Sequence, residues 1–130
     1  MFNYTPILND RDVDDALREI EEALDPGKVF VPTFENSWVN YGSTFHDAGF
    51  RKDGQGIVHL EGLVKDGTGI PSTIFTLPPL HRPADTLIFA VVSSNAIGRI
   101  NVKADGTVEA TTPSVTTWVS LDGIYFRSAQ

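Results

Sequence analysis

Arg99-Ile100-Asn101-Val102-Lys103-Ala104-Asp105-Gly106-Thr107-Val108-Glu109-Ala110-Thr111 is the stretch that decides the fold class. Two strand-forming runs, Arg99 to Lys103 and Thr107 to Thr111, flank the dipeptide Asp105-Gly106. That dipeptide accepts the positive φ angles of a type I′ turn, so the segment reads as a β-hairpin.

The same two-residue period recurs on both sides of the hairpin. Upstream, Lys28 to Val31, Ser37 to Tyr41, Gly49 to Lys52 and Ser72 to Leu77 read as strands. Ile57 to Val64 alternates, with Val58, Leu60, Gly62 and Val64 on one face and Ile57, His59, Glu61 and Leu63 on the other. Thr86 to Val92 is apolar after its first residue, the signature of a strand buried on both faces. Downstream, Thr116 to Leu121 and Ile124 to Phe126 read as a second hairpin around Asp122-Gly123. Short strands punctuated by glycine and proline predict a mainly β fold, a β-sandwich or jelly roll.

One segment has a different period. Val13, Leu17, Ile20 and Leu24 recur at spacings of four, three and four in an acidic stretch from Asp10 to Leu24. Asp10 or Asp12 supplies the cap, Asp12, Asp14 and Asp15 suit the positive end of the dipole, and Asp25-Pro26-Gly27 ends the helix. Leu17 and Leu24 at heptad position a put Val13 and Ile20 at d, a combination that favours three or four strands over two. The same stripe would also serve a helix lying on its own β-domain. The expected division is an arm and oligomerising helix over residues 1–27 and a head over 28–130.

Composition narrows the functional classes. The chain has 130 residues and no cysteine, which excludes disulfides, thiolate nucleophiles and zinc–thiolate sites. Ten basic residues among 17 acidic ones, for a net charge of -7, argue against nucleic acid and against an anionic membrane surface. The longest apolar run, Leu87 to Val92, is far short of a membrane span, and Met1 to Thr5 does not read as a signal peptide. His46, His59 and His81 have no metal-ligand spacing, and no nucleophile elbow, phosphate loop or dinucleotide fingerprint occurs. Asp10, Asp12, Asp14 and Glu21 match four positions of a calcium loop, but Asp15 stands where its glycine belongs and the rest is a helical heptad pattern. No carboxylate pair stands out, so catalysis, cofactors and metals are not expected. Trp38 and Trp118 fall in strand patterns and are assigned to the core. Tyr41, His46 and Asp47 at the Gly42 to Asp47 loop, with Asn95 in the Ser93 to Gly98 loop, are the ligand-binding candidates.

Read together, Trp38-Val39-Asn40-Tyr41-Gly42, Phe50-Arg51-Lys52-Asp53 and Gly56 to Val64 form an ordered series. Ile74-Phe75-Thr76-Leu77-Pro78, Arg82-Pro83, Arg99 to Val108 and Val119 to Phe126 complete it. The series resembles C-terminal head domains of bacteriophage tail fibres and receptor-binding proteins. Pro79-Leu80 departs from it, standing where a glycine and an aromatic often follow Leu-Pro. The resemblance implies a homotrimeric β-sandwich head on a virion that touches the host cell surface, often its carbohydrate. It implies that Trp38, Leu60, Gly62, Phe75, Pro78 and Pro83 are framework, and it favours the bundled reading of the helix. Met1 to Asn9 is the expected anchor to other virion proteins. A decoration protein that binds only other virion components is the alternative.

Overall fold

A computed structural model describes residues 13, 16–18, 20 and 27–129 of the chain. The expected arm over residues 1–9, the acidic helix cap, Leu24 and the calcium-like carboxylates lie outside the described residues. Val13, Ala16, Leu17, Arg18 and Ile20 are helical. The strands are β1 (Val39–Asn40), β2 (Gly49–Lys52), β3 (Ile57–Glu61), β4 (Leu63–Lys65) and β5 (Ser72–Thr76), then β6 (Leu87–Ser93), β7 (Ala96–Val102), β8 (Thr107–Thr111), β9 (Val119–Ser120) and β10 (Tyr125–Arg127). Seven form one antiparallel sheet in the order β1-β4-β9-β6-β7-β8-β5, and three form a small sheet, β10-β3-β2. The mainly β expectation holds.

Both sheets contribute to one core. Phe50 of β2 stacks near Phe75 of β5 with ring centroids 6.4 Å apart, and Phe89 of β6 meets Phe126 of β10 at 6.4 Å. Trp38, Val58, Leu60, Val64, Ile100 and Val108 are buried in the same cluster. The Trp38 indole N–H donates to the Ser72 hydroxyl at 2.9 Å, so its polar edge is satisfied in the interior.

The run from Ile57 to Val64 is two strands, not one. Gly62 separates them with φ of +110°, and a Cβ there would lie 2.5 Å from the Ala48 Cα. Only glycine fits such a bend. The chain leaves the small sheet at Glu61 and enters the large one at Leu63. Val58, Leu60 and Val64 are buried as their alternation predicts, while Leu63 is buried as well. Its N–H donates to the His46 carbonyl, and its own carbonyl accepts from Tyr41 N–H, so the 41–47 loop lies over it.

Asp122-Gly123 is likewise a corner rather than a hairpin turn. β9 pairs with β4 and β6, whereas β10 pairs with β3 in the other sheet. The two corners touch: Gly62 N–H donates to the Asp122 carboxylate at 2.8 Å, and Leu121 N–H to the Gly62 carbonyl at 2.8 Å.

Other expectations need correction. Lys28 to Val31 makes only a bridge, Phe30 to Phe50, because Pro32 has no N–H to extend pairing. The hairpin of β7 and β8 forms, but Gly106 is its one positive-φ residue, with Asp105 accepting the Thr107 N–H, so the turn is not type I′. Positive φ at both central residues occurs instead at Ser94-Asn95, between β6 and β7. The Ser93 to Gly98 stretch is therefore that two-residue turn and the start of a strand, not a loop. β6 is covered on one face only; Ile88, Ala90 and Val92 point outward and are exposed.

His81, in a 3-10 turn over Pro79–His81, is fully buried, with its ring edge-on to Phe50 at 5.1 Å and to Phe30 at 6.1 Å. Burial, then the positive charges of Lys52 and Arg18, push its pKa down to about 4 from the ordinary 6.5.

Two outcomes are expected. Gly62→Ala should cost about 2 kcal/mol or more in urea unfolding, since both φ and the Ala48 backbone oppose a Cβ; a loss below about 0.5 kcal/mol would show that the corner relaxes freely. The unfolded chain binds a proton at His81 more readily than the folded one. The stability tied to that group is therefore whole above about pH 6.5 and falls as pH drops toward 4, by up to roughly 3 kcal/mol. Comparing wild type with His81→Leu across that window isolates the contribution. Identical pH slopes would contradict it.

Candidate functional site

The outward side of β4, β9 and β6 carries a hollow of about 460 Å³. Its walls come from three places that are distant in sequence. The 41–47 loop supplies Tyr41, Phe45 and His46. The Ser94-Asn95 turn and the end of β6 supply Asn95 and Val92. The segment around β9 supplies Trp118, Ser120 and Asp122, with Leu63 beneath the loop.

Local geometry holds these walls. Gly42 and Ser43 have positive φ, and Phe45 N–H donates to the Gly42 carbonyl at 3.1 Å, closing the loop tightly. Ala48 N–H donates to the Asn40 side-chain oxygen at 2.8 Å, tying the loop's end to its start. Tyr41 and Phe45 pack edge to face at 5.3 Å, and the Lys65 ammonium sits 5.1 Å from the centre of the Tyr41 ring. At the opposite wall, asparagine tolerates the left-handed conformation that Asn95 adopts.

The electrostatics centre on His46. Its Nε2 pairs with the Glu61 carboxylate of β3. The hydrogen bond to Glu61 and its charge hold the imidazole above its usual range against the cost of desolvation, with Asp122 and Asp47 adding lesser contributions in the same direction. One Asp122 oxygen accepts the Gly62 N–H. Both carboxylates thus fix backbone and loop positions. His59 is half-exposed in mid-strand and pairs with Asp53 at 3.0 Å; that bond and the N–H groups of Ile57 and Gln55 hold the Asp53 carboxyl down to about 2. Among the described residues, no three His, Asp or Glu side chains converge as a metal site would require.

Tyr41, His46 and Asn95, chosen from the sequence as binding residues, therefore come together. Asp47 does not line the hollow; it is exposed beside it and acts on His46 only through its charge. Trp118, assigned to the core, is half-buried and forms a wall, because β9 is only two residues long and its preceding residue sits on the outer side. Phe45, Ser120 and Asp122 were not singled out. An exposed aromatic inside the favoured loop was the available signal for Phe45; for Asp122 there was none, since Asp-Gly reads as a turn.

The chemistry on offer is that of a shallow recognition site. Three aromatic rings provide apolar faces and edges, and an amide, a hydroxyl, a carboxylate and an imidazole provide hydrogen bonds at the rim. By proton NMR, His46 should titrate above 6.5 and return toward that value in Glu61→Gln. An unshifted His46, indifferent to that substitution, would mean the ion pair does not form in solution.

No protein-family model and no curated protein matches this sequence. Among solved structures, the chain resembles the receptor binding protein (gp15) of Listeria phage PSA, with a TM-score of 0.64 over 98% of this chain and 82% of that one. Sequence identity is 20%, so the likeness is one of fold: the β-rich head is built as in a phage receptor-binding protein.

Proposed function

We propose that this chain is a virion-borne receptor-binding head: a two-sheet, jelly-roll-like domain that recognises a saccharide on the host cell surface without chemical conversion. The observation that carries this reading is the hollow of Tyr41, Phe45 and Trp118 rimmed by His46, Asn95, Ser120 and Asp122, on a fold shared with a phage receptor binding protein. Sugar rings present C–H faces that pack on aromatic rings and hydroxyls that pair with amide and carboxylate groups. A protein ligand would need a larger buried area than a hollow of this size offers.

Homotrimeric assembly through the N-terminal helix belongs to the same proposal. Val13, Leu17 and Ile20 are exposed in the single chain, and Arg18 places its guanidinium 5.7 Å from the Phe30 ring. Among the described residues Arg18 touches the head, and the exposed Val13, Leu17 and Ile20 are the side chains this reading assigns to contact with other copies. Three copies carry three times -7, or -21. Weak sites repeated three times on one rigid body gain by multivalency, on the order of a hundredfold or more where the geometry allows simultaneous contact.

The test is binding of the purified chain to host cells and to their isolated cell-wall polysaccharides. Trp118→Ala and Tyr41→Ala should each weaken binding by about ten- to a hundredfold, with melting temperatures close to wild type. If the wild-type protein binds neither cells nor polysaccharide but still joins the particle, a decoration role replaces this one.

A further inference from the structure

The chain covers the edges of its sheets unevenly. Phe30 lies along the outer side of β2 and exchanges both backbone bonds with Phe50. Glu35 N–H and the Asn36 side-chain amide donate to the Ile74 and Thr73 carbonyls on the outer side of β5. β1 is only two residues long. The edge left is that of β10, at the end of the small sheet. Leu60 N–H donates to the Ile124 carbonyl, and Ser128 N–H to the Gly56 carbonyl. In an antiparallel ladder bonded and non-bonded pairs alternate, so the N–H and C=O groups of Tyr125 and Arg127 point away from β3. The open stretch ends at Ala129, whose N–H is taken by the Arg82 carbonyl at 2.8 Å.

Beside this edge lies a second hollow, of about 490 Å³. Leu87 at the start of β6 and Ser128 and Ala129 just past β10 all line it, which places it at the seam between the two sheets. Pro83, Ala84 and Asp85 add to the lining, and Arg127 borders it. The Arg127 guanidinium donates to the Gln55 carbonyl at 3.4 Å. Arg51 stands on the same outward face of the small sheet, in the row of His59 and Tyr125. Among the described residues neither arginine is in an ion pair, while the nearby carboxylates of Asp53 and Glu61 are taken by His59 and His46.

We infer that β10 accepts an extended segment of another protein as an added strand, one in which acidic and apolar side chains alternate. Alternating N–H and C=O groups along an edge are the complement of a peptide main chain. A residue of the added strand opposite Arg127 shares its outward face, where a carboxylate meets the guanidinium. The residue opposite Phe126 turns inward, as Phe126 does, and reaches the seam where the second hollow lies. Leu87, Pro83 and Ala84 suit an apolar side chain there, and Asp85 opposes a second acid. Three residues of β10 give few main-chain bonds, so Arg127 and the second hollow supply the remaining contacts. This edge shares no residue with the hollow of Tyr41 and Trp118, so the inference stands or falls apart from saccharide binding.

Hydrogen exchange tests the edge first. In the free protein the Tyr125 and Arg127 amides should exchange at least about tenfold faster than the Phe126 amide. Equal protection would show that the edge is already covered and would end the inference. An end-blocked peptide of alternating glutamate and valine, at up to millimolar concentration, should slow both amides at least about fivefold. The same peptide N-methylated at its glutamates should not, because those nitrogens face β10. If both peptides bind alike, or neither binds, no strand is added. Arg127→Glu should move the preference at least about tenfold toward a peptide of alternating lysine and valine; an unchanged preference would overturn the acidic assignment. Tyr125→Pro removes an edge donor that faces away from β3, a place where proline is tolerated. It should weaken binding at least about tenfold, and undiminished binding would contradict the inference. Should that variant fail to fold, the N-methylated peptide still decides.

Discussion

The contact between Gly62 and Asp122 governs this head. Two chain crossings between the sheets occur side by side, and each is held by the other: an N–H of one corner on the carboxylate of the second, and an N–H of the second on the carbonyl of the first. Antiparallel sheets that share a core need corners where strands change layer. Each corner bends backbone away from its ladder and leaves polar groups to be satisfied. Here the two corners satisfy one another. Gly62 carries the bend because a side chain would strike the Ala48 backbone.

The same corner shapes the hollow. Once β4 starts at Leu63, the 41–47 loop is drawn across it by the paired bonds of Tyr41 and His46. Once β9 ends before Asp122, Trp118 and Ser120 face outward on the strand next to β6. The hollow is therefore a by-product of how the sheets join, with side chains added at its rim. The His46 to Glu61 pair extends this logic, since it fastens the loop to the small sheet across the corner.

Charge and exposed apolar side chains are unevenly distributed over the molecule. Acidic residues outnumber basic ones by 17 to 10, so copies of the chain repel one another over most of their surface. Exposed large apolar side chains among the described residues include Val13, Leu17 and Ile20 of the helix, Ile88, Val92 and Ile97 of β6 and β7, and Val29 and Val31 before β1. The hollow borders the outward side of β6 at Val92. His81 lies at the other end of the design, its ring boxed by Phe30 and Phe50 and near two cations.

The sequence by itself determined what depends on neighbours in the chain. The alternation of Val58, Leu60 and Val64 specified a buried face, and the spacing of the strands around Asp105-Gly106 specified a hairpin, because period and turn residues act over a few positions. Loop position also pointed to Tyr41, His46 and Asn95. Tertiary structure alone decided which sheet each strand joins, since Ile57 to Val64 reads as one strand and Asp122-Gly123 as a hairpin turn until Gly62 and Asp122 meet across 60 positions. It also decided that Trp118 is a wall and not core, that Asp47 stands aside, and that β6 is covered on one face only. Those outcomes are set by what packs opposite a side chain. Local pattern carries the propensity to be buried, but only the folded arrangement supplies, or withholds, the surface that does the burying.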